Sequence, residues 1–377
     1  MKTNTKGRII GTDNQTVTTE AKNVIVFGSS GSGKTFRYVE PNVRNSIENS
    51  ETVIVTDPTG QIHKSTAELA KANGYKVHVL DFTNPAESDR WNPLDVYCET
   101  MDPYLLHELA IQSLMDSSGA RPDPFFDQSE ENLLKSLIAY VASPYYQGEN
   151  RDLPAVYDML QKIAINEGKC EEMNELIHKD PGNVIGMMWK VFAGSGRLRL
   201  NFTTGLALKL KSLQIEDMRK LLTSDPDGIH LNDLSEKKAI YIKYPIMNDF
   251  AMPFISIFLW EALKVYKESN EKAHIILDEF ASLGRIHGLE SFLEHDDNTA
   301  VSIIANDFWQ LKKHYREVRP LVTASALLAF TTYDMDTAIL FDNIYPERLL
   351  KAFAEHRDMV AFKWQGVTRS FDAYTPK

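Results

Sequence analysis

Cysteine is nearly absent: Cys98 and Cys170 are the two in 377 residues, and no CxxC spacing occurs. That excludes a disulfide framework and a thiolate metal centre, and it fits a reducing compartment. No apolar run reaches the roughly 18 residues that a bilayer span needs. The best, 251–263, is interrupted by Pro253 and Glu261. The opening MKTNTKGRII lacks the apolar centre of a signal peptide, so the chain as given is expected to be cytoplasmic and soluble. Positive charge is in deficit as well. With 41 Lys and Arg against 52 Asp and Glu, the net charge is −11, which excludes an overall electrostatic grip on nucleic acid and leaves only local patches. Internal repeats and low-complexity tracts are lacking, and His287 and His295 show no metal-ligand spacing.

What is present is apolar material with two rhythms. At 43% apolar content and this length, two cores can be buried. Short β-rich runs at 23–27, 52–56 and 76–80, and again at 239–244, 273–277 and 301–305, are spaced for crossover helices, as in a parallel α/β sheet. Between about 100 and 212 the spacing is helical instead. Leu133, Leu134, Leu137, Ile138 and Val141 share one face, with Asp127 and Glu130 placed as a capping box, and Pro154 suits the first turn of a helix carrying Met159, Leu160 and Ile163. The expected organisation is a nucleotide-binding domain in two segments, 1–96 and 213–377, around an all-α insert at 97–212.

The run NVIVF leads into GSSGSGKT, the P-loop pattern of glycine, four residues, then Gly-Lys-Thr. Gly28, Ser29, Ser30, Gly31, Ser32, Gly33, Lys34 and Thr35 are the candidate nucleotide-binding residues. Glycines let the backbone curl and aim N–H groups at an anion, Lys34 reaches the β- and γ-phosphates, and Thr35 ligates Mg²⁺. The helix that opens there adds its positive dipole end and is expected to stop near Pro41. The second half of such a site is an apolar strand ending in acids, here IIL followed by Asp278-Glu279. Asp278 is the candidate Mg²⁺ residue beside Thr35, and Glu279 the candidate base for an attacking water.

In order along the chain, NVIVFGSSGSGKTFRYVEPNV, VTDPTGQIHKSTAELAKANGYKVHVLDF with SDRWNPL, DPFFDQSEENLLKSLIAYV, IILDEFASLGRI and QLKKHY resemble the TraG/TraD-like coupling ATPases of bacterial conjugation and type IV secretion. The resemblance implies a RecA-like P-loop NTPase domain interrupted by an all-α domain, and a hexameric ring. It also implies hydrolysis of ATP with Mg²⁺, and passage of single-stranded DNA with attached relaxase of the relaxosome to secretion-channel components. Family members commonly carry N-terminal membrane helices. This chain shows none, which implies a soluble variant or a fragment, tied to the cytoplasmic face of the membrane only through partners or a missing N-terminal region. Three departures matter: Thr59 and Gln61 stand where the family has Lys and Glu, Asp296 and Asp297 lie where it tends to place an arginine, and Asn306 replaces its γ-phosphate-sensing glutamine. With Lys34, Glu279 and Asn306 as the catalytic set, nucleotide binding is expected to be intact and turnover weak. Arg285, Arg316 and Arg319 are the candidate substitutes for the arginine.

Arg197, Arg199, Lys209 and Lys211 fall in a window without acids and are the candidate DNA contacts. Three readings stay open at this point: a translocating ATPase, an ATP-binding interaction module with weak or no hydrolysis, and another P-loop enzyme such as a kinase.

Overall fold

The structure, a computed structural model, describes residues 6–13, 15–114, 124–179, 182–246, 249–294, 298–315 and 317–375. Eleven strands are present among them: β1 Arg8–Asp13, β2 Gln15–Thr19, β3 Val24–Phe27, β4 Thr52–Thr56, β5 Lys76–Asp81, β6 Lys238–Lys243, β7 Ala273–Leu277, β8 Thr299–Ala305, β9 Ala326–Ala329, β10 Met359–Trp364 and β11 Val367–Asp372. They form one sheet in the order β2-β1-β11-β10-β9-β3-β8-β7-β4-β6-β5. The pairs β9–β3, β3–β8, β8–β7, β7–β4 and β4–β6 are parallel, while β2–β1, β1–β11, β11–β10 and β10–β9 are antiparallel. The fold is α/β with a mostly parallel sheet.

Every residue of β3, β4, β7 and β8 is buried, as strands covered on both faces must be. The antiparallel edge was not expected from the sequence. The hairpin β10–β11 turns through Gln365-Gly366, both with positive φ, as a two-residue turn between antiparallel strands prefers.

The helix after the P-loop corrects an expectation. It does not stop at Pro41. A π turn, Thr35–Val39, comes first, and the α-helix Glu40–Glu48 then holds Pro41 in its first turn, where proline is tolerated. Val43 and Ile47 on this helix, with Tyr38 and Val39, pack on Val24, Val26, Val53, Val55 and Ile276.

A buried polar chain crosses the same core. Arg8 pairs with Glu51 at 2.6 Å and donates to Ser46 Oγ at 2.9 Å. His274 Nδ1 lies 3.1 Å from Arg8 and 2.9 Å from Ser46, its Nε2 lies 2.8 Å from Ser302 Oγ, and Ser302 meets the Tyr38 hydroxyl at 2.8 Å. Burial and the Arg8 charge hold His274 well below its usual range, so the ring is neutral.

The chain folds as two compact units: Met1–Val79, Asp233–Met247 and Trp260–Lys377 form one, and Leu80–Asn232 with Asn248–Leu259 the other. Between Asp95 and Leu221 the regular elements among the described residues are all helices. Pro124–Ala142 packs on Leu153–Ile165, Val184–Ala193 and Arg199–Lys209, burying Leu133, Leu134, Leu137, Ile138 and Val141. Leu153–Ile165 opens as expected, with Asp152 accepting from the Ala155 N–H and Pro154 in the first turn.

The capping box is not formed. The helix already starts at Pro124, so 127 is an interior position, and Glu130 is instead buried against Lys209, 2.6 Å away. Gly205 lies where any Cβ would collide with that carboxylate. Lys209→Met is therefore expected to cost about 1–3 kcal/mol, because it strips a charge partner from a buried carboxylate. Lys211→Ala, at an exposed position, should stay within about 0.5 kcal/mol. Denaturant melts of both variants check this; equal stabilities would mean that the Lys209 pair is a surface contact.

Candidate functional site

Sterics shape the loop after β3. Gly31 and Gly33 have φ of 77° and 89°, and a Cβ at Gly28 would lie 2.5 Å from Ser32 Oγ. The loop is tied to the two strands flanking β3: Gly28 N–H donates to Asn306 O at 3.2 Å, and Ser29 N–H to Thr331 O at 2.9 Å. Lys34 is folded inward, 8% exposed, its Nζ donating to Gly28 O at 2.5 Å, Asn306 Oδ1 at 2.8 Å and Ser29 O at 3.3 Å. Burial lowers its pKa, opposed by the charges of Glu279, Asp278 and Asp307. Ser32 Oγ, packed beside Gly28, is buried and has no hydrogen-bond partner among the described residues, a donor still unspent in the loop.

The facing wall comes from β7, one strand away across β8. Thr35 Oγ1 donates to Asp278 Oδ2 at 3.0 Å. Burial pushes the Asp278 carboxyl up to about 6, the Glu279 charge adding to this while Thr35, the Glu279 N–H and Lys34 oppose it. Glu279 stands in the left-handed region at φ 53°. Asn306 follows the end of β8, its N–H held by Gln310 Oε1 at 2.7 Å. Gly31, Gly33, Lys34, Thr35, Glu279 and Asn306 line one cavity of about 250 Å³, joined by Phe36 and Gln61.

The residues fit a nucleotide with Mg²⁺. A glycine cradle, an inward ammonium and an unspent hydroxyl suit an anion, and a hydroxyl facing a carboxylate suits a hard cation. Among the described residues, no group of three or more His, Cys, Asp or Glu offers a softer metal site. A larger hollow of about 420 Å³ in the helical unit, around Tyr146, Asp152 and Arg219, has no such cradle.

The expected P-loop and acidic residues thus meet in one place. Asn306 was expected to fall short of a γ-phosphate, and here its side chain holds Lys34. Gln61, the first residue of helix Gln61–Ala72, also lines the cavity, a position the sequence marked only as a lost charge. Arg285 pairs with Glu290 at 3.4 Å and stacks on Tyr315, and Arg319 is exposed. Asp296, Asp297 and Arg316 lie outside the described residues. Of the candidate DNA contacts, Arg197 and Lys211 are exposed, Arg199 is half-buried with its Nε donating to Gly196 O, and Lys209 is engaged by Glu130. Both thiols are pushed up to about 11 by burial, which leaves them unreactive.

Residues 2–319 match the family described as type IV secretory system conjugative DNA transfer. Among solved structures, the chain is similar to the plasmid coupling protein TrwB in complex with the non-hydrolysable ATP analogue ADPNP. That match has TM-score 0.69 and 14% identity, and covers 95% of this chain and 86% of that one. TrwB in complex with ADP and Mg²⁺ matches at TM-score 0.64 and 14% identity, covering 99% and 91%. VirB4 of Thermoanaerobacter pseudethanolicus matches at TM-score 0.56 and 13% identity, covering 98% and 96%. At such identities the likeness is one of fold: a RecA-like P-loop domain with an all-α domain. No curated protein matches.

An acid whose folded pKa is raised contributes stability below its unfolded pKa, 3.8, and loses it as pH rises through about 6. At neutral pH the ionised Asp278 therefore costs the metal-free protein on the order of 3 kcal/mol. Asp278→Asn, in EDTA, is expected to be the more stable protein at pH 8, with the difference vanishing toward pH 4. Thermal melts at pH 4, 6 and 8 test this, and equal melting of the two proteins at pH 8 would place the carboxylate in water.

Proposed function

We propose that this chain, which belongs to the type IV secretory system conjugative DNA-transfer family, binds Mg-ATP and hydrolyses it weakly as a coupling protein. In this reading the work done is delivery of single-stranded DNA, with its attached relaxase, to the secretion channel. The supporting observation is that Lys34, Thr35, Glu279 and Asn306 line one cavity beside a glycine cradle, with Asp278 hydrogen-bonded to Thr35. TrwB, a relative in fold, is described with an ATP analogue and with ADP and Mg²⁺, which supports the same ligands here.

The roles follow from position. Backbone N–H groups of the loop and the Ser32 hydroxyl take phosphate oxygens, and Lys34 exchanges its carbonyl contacts for them. Thr35 and Asp278 would hold Mg²⁺, which supplies positive charge against the phosphates. Glu279 accepts the proton of an attacking water, while Asn306, whose side chain holds Lys34, is a short-reaching sensor of the γ-phosphoryl group, in keeping with weak turnover. Segments 1–96 and 213–377 then act as the motor, 97–212 as the insert, and the motor assembles head to tail into a hexameric ring. Arg197, Arg199 and Lys211 are the basic positions left for DNA. The chain works at the cytoplasmic face of a membrane that it meets through partners; no helix among the described residues is long and apolar enough to cross one.

A second reading, an ATP-dependent interaction module, is favoured by one observation: Arg285 is held by Glu290 and Tyr315 and is not among the residues that line the cavity. ATPase assays with and without single-stranded DNA separate the two. Lys34→Ala should weaken Mg-ATP binding roughly tenfold to a hundredfold with native circular dichroism. Glu279→Gln should keep the nucleotide and lose turnover by about 10²–10⁴-fold. The parent should bind well and turn over slowly at every protein concentration. Brisk, concentration-dependent hydrolysis would show that a neighbouring subunit completes the site, and wild-type turnover by Glu279→Gln would assign the chemistry elsewhere.

A further inference from the structure

Glu279 is not a glycine, yet its φ of 53° and ψ of 43° put it in the left-handed region. An L-residue stays there only where its surroundings over-determine the backbone. Those surroundings are three hydroxyls. Thr56, the last residue of β4, donates from Oγ1 to Asp278 O at 2.8 Å. Tyr244, directly after β6, places its hydroxyl 3.3 Å from the same oxygen and 2.9 Å from Ser282 Oγ. Ser282 Oγ donates to Glu279 O at 2.6 Å, so the single Tyr244 proton is shared between Ser282 Oγ and Asp278 O. On its other side the 278–279 peptide gives its N–H to Asp278 Oδ1 at 3.0 Å. That peptide plane is therefore pinned at both its oxygen and its nitrogen, and the next carbonyl is held as well. Thr56 and Tyr244 are fully or almost fully buried, and burial keeps the Tyr244 hydroxyl protonated and able to donate.

We propose that Thr56, Tyr244 and Ser282 form a hydroxyl clamp that fixes the Asp278–Glu279 turn in the backbone conformation that presents Glu279 to the nucleotide cavity. They are positioning residues for hydrolysis, contributed mainly by β4 and β6, two strands that bring no side chain of their own to the phosphates. The clamp rests on the hydrolytic reading of Glu279 given above. Without it, the left-handed residue relaxes by rotating the 278–279 peptide, and the carboxylate leaves the cavity wall while Lys34, Thr35 and the glycine loop stay as they are.

The test uses the full chain and near-isosteric changes. Thr56→Val and Tyr244→Phe should each lower single-turnover hydrolysis of Mg-ATP by about tenfold to a hundredfold, the scale of a small misplacement of a catalytic group, with affinity for Mg-ATP unchanged. Thr56→Ser, which keeps the hydroxyl, should recover most of the loss. In a Glu279→Gln background, neither substitution should reduce the residual rate further. Amide hydrogen exchange gives a readout free of turnover: it should quicken at 279–283 in Thr56→Val and stay unchanged in the β4 and β7 interiors. Loss of affinity in step with rate, additive losses on Glu279→Gln, or unaltered exchange at 279–283 would each overturn the clamp. The two claims fail separately: a fully active Glu279→Gln defeats the hydrolytic reading, whereas an inactive Glu279→Gln beside fully active Thr56→Val and Tyr244→Phe defeats only the clamp.

Discussion

A carboxylate shut away from water has to be neutralised, paired or hydrogen-bonded, and Asp278, 5% exposed, imposes that requirement on the whole end of the sheet. Its two oxygens take the Thr35 hydroxyl and the Glu279 N–H. The first contact reaches from β7 past β8 to the start of the helix after β3, so satisfying one buried acid sets the distance between the phosphate cradle and the acidic wall. Lys34 is constrained in the same way. An ammonium at 8% exposure needs acceptors, and it finds them in the loop carbonyls and in Asn306 at the end of the strand between. Three strand ends are thereby tied by polar contacts that water would otherwise supply.

Rigidity behind the site comes from the core. The chain of Glu51, Arg8, Ser46, His274, Ser302 and Tyr38 links β1, the helix Glu40–Glu48, β7, β8 and the π turn after Thr35. A buried network of this kind is costly if any member loses its partner, which favours a single arrangement. Tyr38 and Asp278 thus fix the helix after the P-loop from two sides, one through the core and one through the site.

Much of this was legible in the sequence wherever local pattern and chemistry coincide. The P-loop announces itself because only glycine tolerates the backbone it needs, and the mainly apolar runs around 24–27, 52–56, 273–277 and 301–305 are what strands buried on both faces look like. Where the deciding contact is distant, the pattern failed. Pro41 looked like a helix stop because the π turn that shifts its register leaves no mark in composition. The β1–β2 and β10–β11 hairpins were missed because two of their strands, QTVTT and VTRSFD, are polar-rich, the first half-exposed and the second largely exposed, and so lack the apolar run or clean alternation that marks a strand. Glu130 looked like a cap because Lys209 and Gly205, which define its surroundings, lie more than 70 positions away. Asn306 was judged by its reach toward a phosphate, and nothing local showed that its side chain meets Lys34.

The fixed charges of the cavity explain why the proposed chemistry would call for a divalent cation. Among the described residues that line it, Lys34 is the ammonium, against the carboxylates of Glu40 and Glu279, with Asp278 and Asp307 near enough to oppose the lowering of the lysine's pKa. A triphosphate would bring further negative charge into a site already negative in sum, and low exposure weakens the screening that bulk water would provide. Loop N–H groups and the helix start offset part of this as partial charges. A divalent ion held by Thr35 and Asp278 would supply two whole charges and would remove the cost of leaving Asp278 ionised where it is buried. In the proposed reading, the cost carried by the buried Asp278 and the call for an ion would have one electrostatic origin, seen from the folded chain and from the ligand.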